Sequence, residues 1–226
     1  MNKNLIIIGI GGGGQNIVDY ISNNNKNPNI ETFVINSDEQ VLQNAKTKNK
    51  ILVGHETIYT KLLLFLINNL GTNSQIVKYL KNFQLKKSLG CGGNVEEGEI
   101  RMKKYLHKLK FMQNRSDLII LVSCFGGGFG TGATTVIADY LRKTNKNFIS
   151  IAITPFHFEG QKRMDVAIEG IKKLKSIDNS CIVIDNNNFI NYSHLSMKTI
   201  LDGISKIVLE NIFDVINDKE YCYDEN

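Results

Sequence analysis

Two glycine-rich segments each lie between an apolar run and an amphipathic stretch of the chain. The first, residues 9–16, reads Gly-Ile-Gly-Gly-Gly-Gly-Gln-Asn, and the second, residues 125–133, reads Phe-Gly-Gly-Gly-Phe-Gly-Thr-Gly-Ala. Glycine lets the backbone turn tightly, and free amides at a helix start, together with the helix dipole, favour a phosphate group. Two such segments, each between a strand and a helix, can grip one polyphosphate from two sides.

Two common nucleotide motifs fit this chain less well. The first segment matches GxGxxG through Gly9, Gly11 and Gly14, but that match alone has low specificity. A dinucleotide site would also have an acid at the end of the second strand, where this chain has Asn36. A P-loop requires Gly-Lys followed by Ser or Thr, a triplet that the sequence does not contain. An NAD(P)-binding Rossmann oxidoreductase therefore stays as an alternative hypothesis.

The elements that must position these segments alternate along the chain. Buried-strand patterns lie at 5–10, 31–35, 51–53, 118–122, 148–153 and 181–184, and helical periodicity at 15–22, 95–112, 134–142, 163–174 and 200–215. This alternation predicts an α/β fold of three layers, with a mostly parallel sheet and helices on both faces. Ligands of such folds bind beyond the carboxyl ends of the strands, so the loops there are the expected site.

Residues 55–89 interrupt the alternation. They hold two helix-like pieces, Ile58–Leu70 and Ser74–Phe83, and predict a helical insertion. Its apolar stripe favours packing on the chain's own core, with a partner-binding hairpin of helices as the alternative. We predict one domain over residues 1–195 that carries this insertion, and a long helix with a short tail over residues 196–226.

Composition excludes several functional classes. The 226 residues are 42% hydrophobic and 22% charged, which is typical of a globular chain with one substantial core. The formal net charge is +5, but the basic residues are scattered among acids, so we expect no nucleic-acid partner. The cysteine and histidine spacings suit neither a metal site nor a disulfide framework. The apolar runs are too short to span a bilayer, and we expect a cytoplasmic protein.

Five motifs, found in order, resemble those of the FtsZ/tubulin superfamily, and of its FtsZ branch in particular. The second glycine-rich segment resembles the signature GGGTGTG, and the first resembles the opening GGGG-x-N phosphate loop. Asn36-Ser37-Asp38 resembles an Asn-Thr-Asp loop, and residues 90–94 resemble a Gly-Ala-Gly-Ala-Asn loop at the γ-phosphate. Residues 154–163 are similar to Pro-Phe-x-Phe-Glu-Gly-x-x-Arg. Together the matches cover residues 5 to about 190.

The resemblance implies the nucleotide-binding half of this family, with its second domain absent, and a site for GTP or GDP. Mg²⁺ can accompany the nucleotide, held mainly by phosphates and water rather than by a protein metal site. The implied nucleotide-binding residues are Gly12, Gly13, Gln15, Asn16, Asn36, Gly92, Gly93, Asn94, Gly126, Gly127, Gly128, Phe129, Gly130, Thr131, Gly132, Pro155, Glu159, Arg163 and Asn186. Within this set, Glu159 and Arg163 would hold the ribose and flank the base, and Asn186 would read the guanine edge.

Four features of the sequence depart from the family pattern. Phe129 stands where the second loop has Thr, and Gln15 stands where Gly is common. On the long last helix, Asp202 and Ile207 align where FtsZ has a Phe that stacks on guanine and an Asp that pairs with it. These departures leave a third hypothesis open, an interaction module with a relic pocket that binds no nucleotide.

The fourth departure concerns hydrolysis. FtsZ hydrolyses GTP as a polymer, where an Asn-x-Asp-x-x-Asp loop of one subunit enters the site of its neighbour. Residues 217–226 do not fit that pattern. The resemblance therefore predicts a GTP-binding protein without self-sufficient hydrolysis, a GTPase only if a partner supplies the acids in trans. Such a chain would serve as a cap, co-assembly factor or regulatory partner of an FtsZ-type filament, or self-associate through its nucleotide face.

Overall fold

A computed structural model describes residues 4–25, 27–54, 90–192 and 195–217, and the single positions 66, 69 and 75. Apart from those three positions, the predicted insertion at 55–89 lies outside the described residues, as does the tail after residue 217. The strands and α-helices of the described part are, in chain order, β1 (Leu5–Ile10), α1 (Gly11–Asn24), β2 (Ile30–Asn36), α2 (Glu39–Gln43), β3 (Asn49–Leu52), α3 (Val95–Tyr105), β4 (Leu118–Cys124), α4 (Gly128–Lys143), β5 (Phe148–Ile153), α5 (Gln161–Lys175), β6 (Ile182–Ile184) and α6 (Met197–Asn217). Short 3₁₀ helices occupy Leu106–Asn114, His157–Glu159 and Asn186–Tyr192.

The strands form one parallel sheet in the order β3-β2-β1-β4-β5-β6. The predicted α/β class is confirmed. Strand order reverses between β1 and β4, which lie side by side with Ile10 opposite Ser123. Open parallel sheets bind ligands at such a reversal, because the connections leave in opposite directions and open a crevice. Both glycine-rich segments begin there.

Helices cover both faces of the sheet, as the predicted three layers require. In β1, Ile6, Ile8 and Ile10 belong to one core cluster, together with residues of α3, α4 and α5. Leu5 and Ile7 belong to the cluster of the opposite face, with residues of α1 and α6. Strands buried on both faces have no polar side to display, which explains why they read as continuous apolar runs.

The helix boundaries differ from the sequence prediction at the glycine-rich segments. Helices α1 and α4 begin at Gly11 and Gly128, whereas periodicity placed their starts at Gln15 and Thr134. Glycine has low intrinsic helix propensity, so a helical turn built from it carries no sequence signal. The helix predicted over 95–112 also ends earlier, at Tyr105, and continues as a 3₁₀ helix.

Candidate functional site

A cleft of about 380 Å³ opens at the carboxyl-terminal edge of the sheet, above the reversal between β1 and β4. Ligand sites in proteins range over roughly 300–1,000 Å³, so the cleft is large enough for a small molecule. The segments that follow all six strands contribute to it. The lining residues are Gly11, Gly12, Gly13, Asn36, Ser37, Gly90, Cys91, Cys124, Phe125, Gly127, Gly128, Phe129, Gly130, Thr154, Pro155, Phe156, Glu159, Arg163, Asn186 and Leu201.

Two helix N-termini meet in this cleft. Their N-cap positions are held by Ile10 in α1 and Gly127 in α4, whose side chains cannot accept hydrogen bonds from the first amides. Neither first turn carries an acidic residue. The first amides of an α-helix have no partner within the helix, and the helix dipole adds partial positive charge there. The convergence of two such ends suits an anion with several oxygens.

The two glycine-rich loops also pack directly on each other. Gly11 has φ of +72°, and a Cβ added to it would lie 3.0 Å from the Cα atom of Gly130. Ser123 Oγ donates a hydrogen bond to the carbonyl of Ile10 (3.1 Å), and Thr134 Oγ1 donates to that of Gly130 (2.6 Å). The paired loops therefore form one fixed unit, and only backbone fits between them.

Three predicted site residues of the second loop, Gly126, Thr131 and Gly132, stabilise the loop without lining the cleft. Gly126 has φ of +94°, and its amide donates to Thr131 Oγ1 at 3.0 Å, which closes the turn. A Cβ on Gly126 would lie 2.8 Å from the carbonyl oxygen of Arg163. Gly132 faces α3 instead, since its Cβ would lie 2.3 Å from the carbonyl oxygen of Val95. None of the three belongs to the described lining of the cleft.

Phe129 does not block the cleft. Its side chain is 6% exposed and belongs to the core cluster that also contains Phe125 and Cys91. Burial of an apolar ring in that core is more favourable than its exposure to water in the cleft, which accounts for the position of Phe129. The Thr-to-Phe departure leaves the cavity open above the ring, and the relic-pocket hypothesis gains no support from it.

The loop after β5 forms another wall of the cleft. Glu159 Oε1 accepts a hydrogen bond from the amide of Phe156 (3.0 Å), and its carboxylate forms an ion pair with Arg163. Both side chains line the cleft. The pair has the i,i+4 spacing of an ordinary salt bridge at a helix start. The two side chains therefore have a structural role and also lie on the wall of the cleft.

Asn186 lies on the third wall, directly after the loop that follows β6. Its side chain is 6% exposed and lines the cleft, yet its Oδ1 atom has no hydrogen-bond partner among the described residues. A buried polar atom without a partner costs about 1–3 kcal/mol. Such an atom in a cleft points to a ligand that donates a hydrogen bond.

Two predicted site residues of α1, Gln15 and Asn16, lie outside the described lining of the cleft. Gln15 is 2% exposed, and its Nε2 donates to the carbonyl of Val41 at 2.8 Å. Its Oε1 accepts from Asn36 Nδ2 at 3.4 Å. Gln15 therefore holds Asn36, which does line the cleft, while Asn16 is exposed on α1 and outside the described lining.

The predicted γ-phosphate loop also lies outside that lining, apart from its first two residues, Gly90 and Cys91. Gly92 and Gly93 are exposed and have φ values of +55° and +83°. Asn94 caps α3, because its Oδ1 accepts from the amide three residues on at 3.0 Å.

Sequence reasoning missed several lining residues, and Leu201 is the most informative. It lies near the start of α6, is 44% exposed and faces the cleft, whereas Asp202 is exposed outside the described lining. Leu201 matched the apolar periodicity of the helix, so nothing in the pattern separated it from core residues such as Ile204. Leu201 is exposed because the start of α6 lies at the edge of the sheet where the cleft opens, and this position depends on the fold rather than on the local sequence.

Two cysteines line the cleft as neutral thiols. Burial, with a smaller contribution from the charge of Glu159, raises the pKa of Cys124 to about 12. Burial also raises the pKa of Cys91, and the hydrogen bond between Cys91 and Ser37 offsets part of that rise. A thiol is a nucleophile only as its thiolate, so neither cysteine acts as one at neutral pH. The described residues contain no group of three or more metal-ligating side chains.

Comparison with known proteins decides the family. The model of the tubulin/FtsZ family, GTPase domain, matches residues 4–194. The chain belongs to the tubulin/FtsZ family. The chain is 33% identical to the cell division protein FtsZ of Mycoplasmopsis pulmonis (strain UAB CTIP) over 217 residues, which cover 94% of this chain and 48% of that protein.

Solved structures of the family share the fold. An empty FtsZ dimer from M. jannaschii gives a TM-score of 0.71 at 25% identity, covering 93% of this chain and 53% of that one. The GTPγS-bound protofilament of CetZ2 from Haloferax volcanii gives 0.72 at 18% identity, covering 98% and 60%. The chain spans about half the length of the FtsZ relatives it matches, between 42% and 48% in four of them.

The family assignment confirms the resemblance inferred from the five motifs. This chain holds a tubulin/FtsZ-type GTPase domain, and the NAD(P) oxidoreductase alternative finds no support in the comparisons. Within its described residues, no helix has both the length and the apolar character that crossing a bilayer demands.

Proposed function

We propose that the cleft binds GTP or GDP, with the polyphosphate at the paired N-termini of α1 and α4. The observation that carries this proposal is the convergence of two helix starts without side-chain caps or first-turn acids on one cleft. Gly12, Gly13, Gly127 and Gly128 would give their backbone amides to the phosphates. The remaining residues implied by the resemblance would act around them, several by holding the loops in place.

The other walls suit the nucleoside. Asn186 Oδ1, buried and without a partner among the described residues, would accept a hydrogen bond from the edge of the base. Leu201 would offer an apolar surface to a face of the base, and Glu159 with Arg163, which also line the cleft, would hold the ribose. Mg²⁺ would be bound chiefly by phosphate oxygens and water, because the described residues provide no cluster of protein ligands for it.

We further propose that hydrolysis requires groups from a neighbouring molecule. Among the described residues that line the cleft, Glu159 is the one carboxylate, and it is engaged by Arg163 and by the amide of Phe156. It is therefore not placed as a free base for a water molecule. Acids supplied in trans by an FtsZ-type partner would complete the site, as an arginine finger does in other nucleotide hydrolases.

In this proposal the chain acts as a nucleotide-loaded cap, co-assembly factor or regulatory partner of an FtsZ-type filament, through the face that carries the cleft. Residues 1–195 would form the nucleotide domain, and residues 196–226 the long helix and tail. The insertion at 55–89 would pack against the domain or offer a partner surface. The same face could join two copies of this chain, a self-association that a sizing measurement would detect.

The test begins with the nucleotide content of the purified protein, released by denaturation and separated by ion-exchange chromatography. We expect GTP or GDP. Phosphate release from added GTP and Mg²⁺ should stay at background for the chain alone, and should change when the chain is added to FtsZ of Mycoplasmopsis pulmonis. Absence of bound nucleotide, with no binding of added GTP, would overturn the proposal in favour of an interaction module. Steady turnover by the chain alone would overturn the requirement for a partner.

Thiol labelling gives an independent prediction for the same cleft. With a pKa of about 12 for Cys124, about one thiol in ten thousand is ionised at pH 8, so alkylation by iodoacetamide should be slow. Cys181, whose pKa burial also raises to about 12, lies outside the described cleft and is a matched control. Saturating GTP should slow labelling of Cys124 by at least about tenfold and leave Cys181 unchanged, as mapped by peptide mass spectrometry. Equal rates with and without bound GTP at Cys124 would contradict the assignment.

A further inference from the structure

A carboxylate beside the cleft organises two of its walls without lining it. Asp185 follows β6 directly, and its Oδ1 atom accepts three hydrogen bonds: from Thr154 Oγ1 (2.8 Å), from the amide of Asn187 (3.0 Å) and from Asn187 Nδ2 (2.8 Å). Thr154 belongs to the loop after β5. The carboxylate therefore joins the loops that follow two neighbouring strands.

Asn187 extends this connection. Its Oδ1 accepts from the amide of His157 at 2.8 Å, and its Nδ2 also donates to the carbonyl of Pro155 at 3.3 Å. Both ends of the amide are thus used, and both reach the loop after β5. We call Asp185 and Asn187, with these contacts, the loop clamp.

The residue between the two clamp residues is Asn186. Its neighbours on either side are held by the clamp, while Asn186 itself lines the cleft and its buried Oδ1 has no hydrogen-bond partner among the described residues. On the opposite side of the clamp, Thr154 and Pro155 are lining residues as well. A small displacement of the clamp would therefore move Asn186 relative to the wall that carries Glu159, and hydrogen-bond geometry tolerates little displacement.

The charge of Asp185 makes the clamp strong. Burial acts to raise the pKa of Asp185, but the hydrogen bonds from Asn187 and Thr154 outweigh it and hold the pKa below its ordinary value. The carboxylate is thus ionised at neutral pH, and hydrogen bonds to an ionised acceptor are about twice as strong as neutral ones.

We propose that Asp185 and Asn187 are positioning residues that set the orientation of Asn186 and thereby the base selectivity of the cleft. The inference rests on the proposed binding of a guanine nucleotide. It assigns phosphate binding and the choice of base to separate parts of the site, because the described hydrogen bonds of Asp185 and Asn187 reach neither glycine-rich loop.

The test compares three ligands, GTP, ATP and inorganic tripolyphosphate, by calorimetry on the full chain. In Asp185→Ala and Asn187→Ala we expect the ratio of GTP to ATP affinity to fall by about tenfold, with tripolyphosphate affinity unchanged within about twofold. Asp185→Asn, which keeps one acceptor oxygen, should restore part of the ratio. Asp139→Ala is the matched control, since it removes a carboxylate that pairs with Arg142 and Lys143 on α4, and it should leave all three affinities unaltered.

The outcomes of this experiment distinguish a failure of this inference from a failure of the proposed function on which it rests. If the wild-type chain binds neither GTP nor tripolyphosphate, both proposals are overturned. If the wild type binds GTP, and Asp185→Ala keeps its selectivity or weakens all three ligands equally, the clamp has a structural role only and this inference alone fails. If Asp185→Ala does not fold, Thr154→Val replaces it in the test, because it removes one hydrogen bond to the carboxylate. We then expect a smaller fall in the ratio of GTP to ATP affinity, and an unchanged ratio would contradict the inference.

Discussion

Gly127→Asp should weaken GTP binding by at least about 100-fold while the protein unfolds at the same temperature as the wild type or a slightly higher one. Gly127 is the N-cap of α4, with φ of −100° and ψ of 168°, a conformation that aspartate adopts readily. A Cβ there would meet no atom within 4 Å among the described residues. The new carboxylate can accept hydrogen bonds from the first amides of α4 and favours the positive end of its dipole, so the helix gains a few tenths of a kcal/mol.

The same carboxylate is harmful to the ligand. It accepts hydrogen bonds from the amides of Phe129 or Gly130 and places a negative charge beside the amides of Gly127 and Gly128, which would bind the phosphates. Gly127→Ala is the matched control, because it adds a Cβ without a charge or a cap and should retain GTP affinity within about threefold. Calorimetry with GTP and a thermal melt of each variant measure both effects. Full GTP affinity in Gly127→Asp would show that the start of α4 is not the phosphate site.

Gly132→Ala should destabilise the whole domain by about 3 kcal/mol or more. A Cβ at Gly132 would lie 2.3 Å from the carbonyl oxygen of Val95 and 2.9 Å from the amide nitrogen of Glu99. Both atoms belong to the backbone of α3, which cannot move aside as a side chain can. The helices also touch at a second point, since a Cβ at Gly98 would lie 2.6 Å from the carbonyl oxygen of Gly128. Adding a methyl group must therefore push α3 from α4.

The control for this substitution is Gly203→Ala. Gly203 lies within α6 and is exposed, with nothing described within 4 Å of an added Cβ, so alanine should stabilise the helix by about 0.5–1 kcal/mol. Urea unfolding of both variants gives the comparison. If Gly132→Ala unfolded at the wild-type urea concentration but lost GTP binding, Gly132 would contact the phosphates, as the family resemblance implies, rather than the neighbouring helix.

The sequence predicted the sheet well because its strands are buried on both faces. The bounds of Leu5–Ile10 and Phe148–Ile153 agree with the structure to the residue. The parallel arrangement and the three layers follow from the alternation of elements. The predicted starts of α1 and α4 were wrong because the first turns of these helices are rich in glycine, which has low helix propensity and carries no periodic apolar signal.

The candidate site was predictable as a set of loops and much less so as a set of contacts. A motif match cannot distinguish Gly127, which faces the cleft, from Gly132, which faces α3, because both are glycines of one signature. Gln15 illustrates the same limit, since its partners Asn36 and Val41 are far from it along the chain. The clamp residue Asp185 belongs to no motif, and its importance follows only from which loops the fold places side by side.

The backbone contact between the two glycine-rich loops has a consequence for how this site can change. A phosphate site formed by backbone amides has no side chain that must become ordered when the ligand binds, so binding there requires little loss of conformational entropy. It also has no side chain that a substitution could adjust gradually, since a Cβ at Gly11 or Gly130 meets the opposite loop or strand. Under the proposed function, a change of ligand preference would therefore arise mainly through Asn186, Leu201 and the loop clamp, while the backbone phosphate site stays the same. Variation at these few positions would then give domains that share one phosphate site and differ in the base they accept.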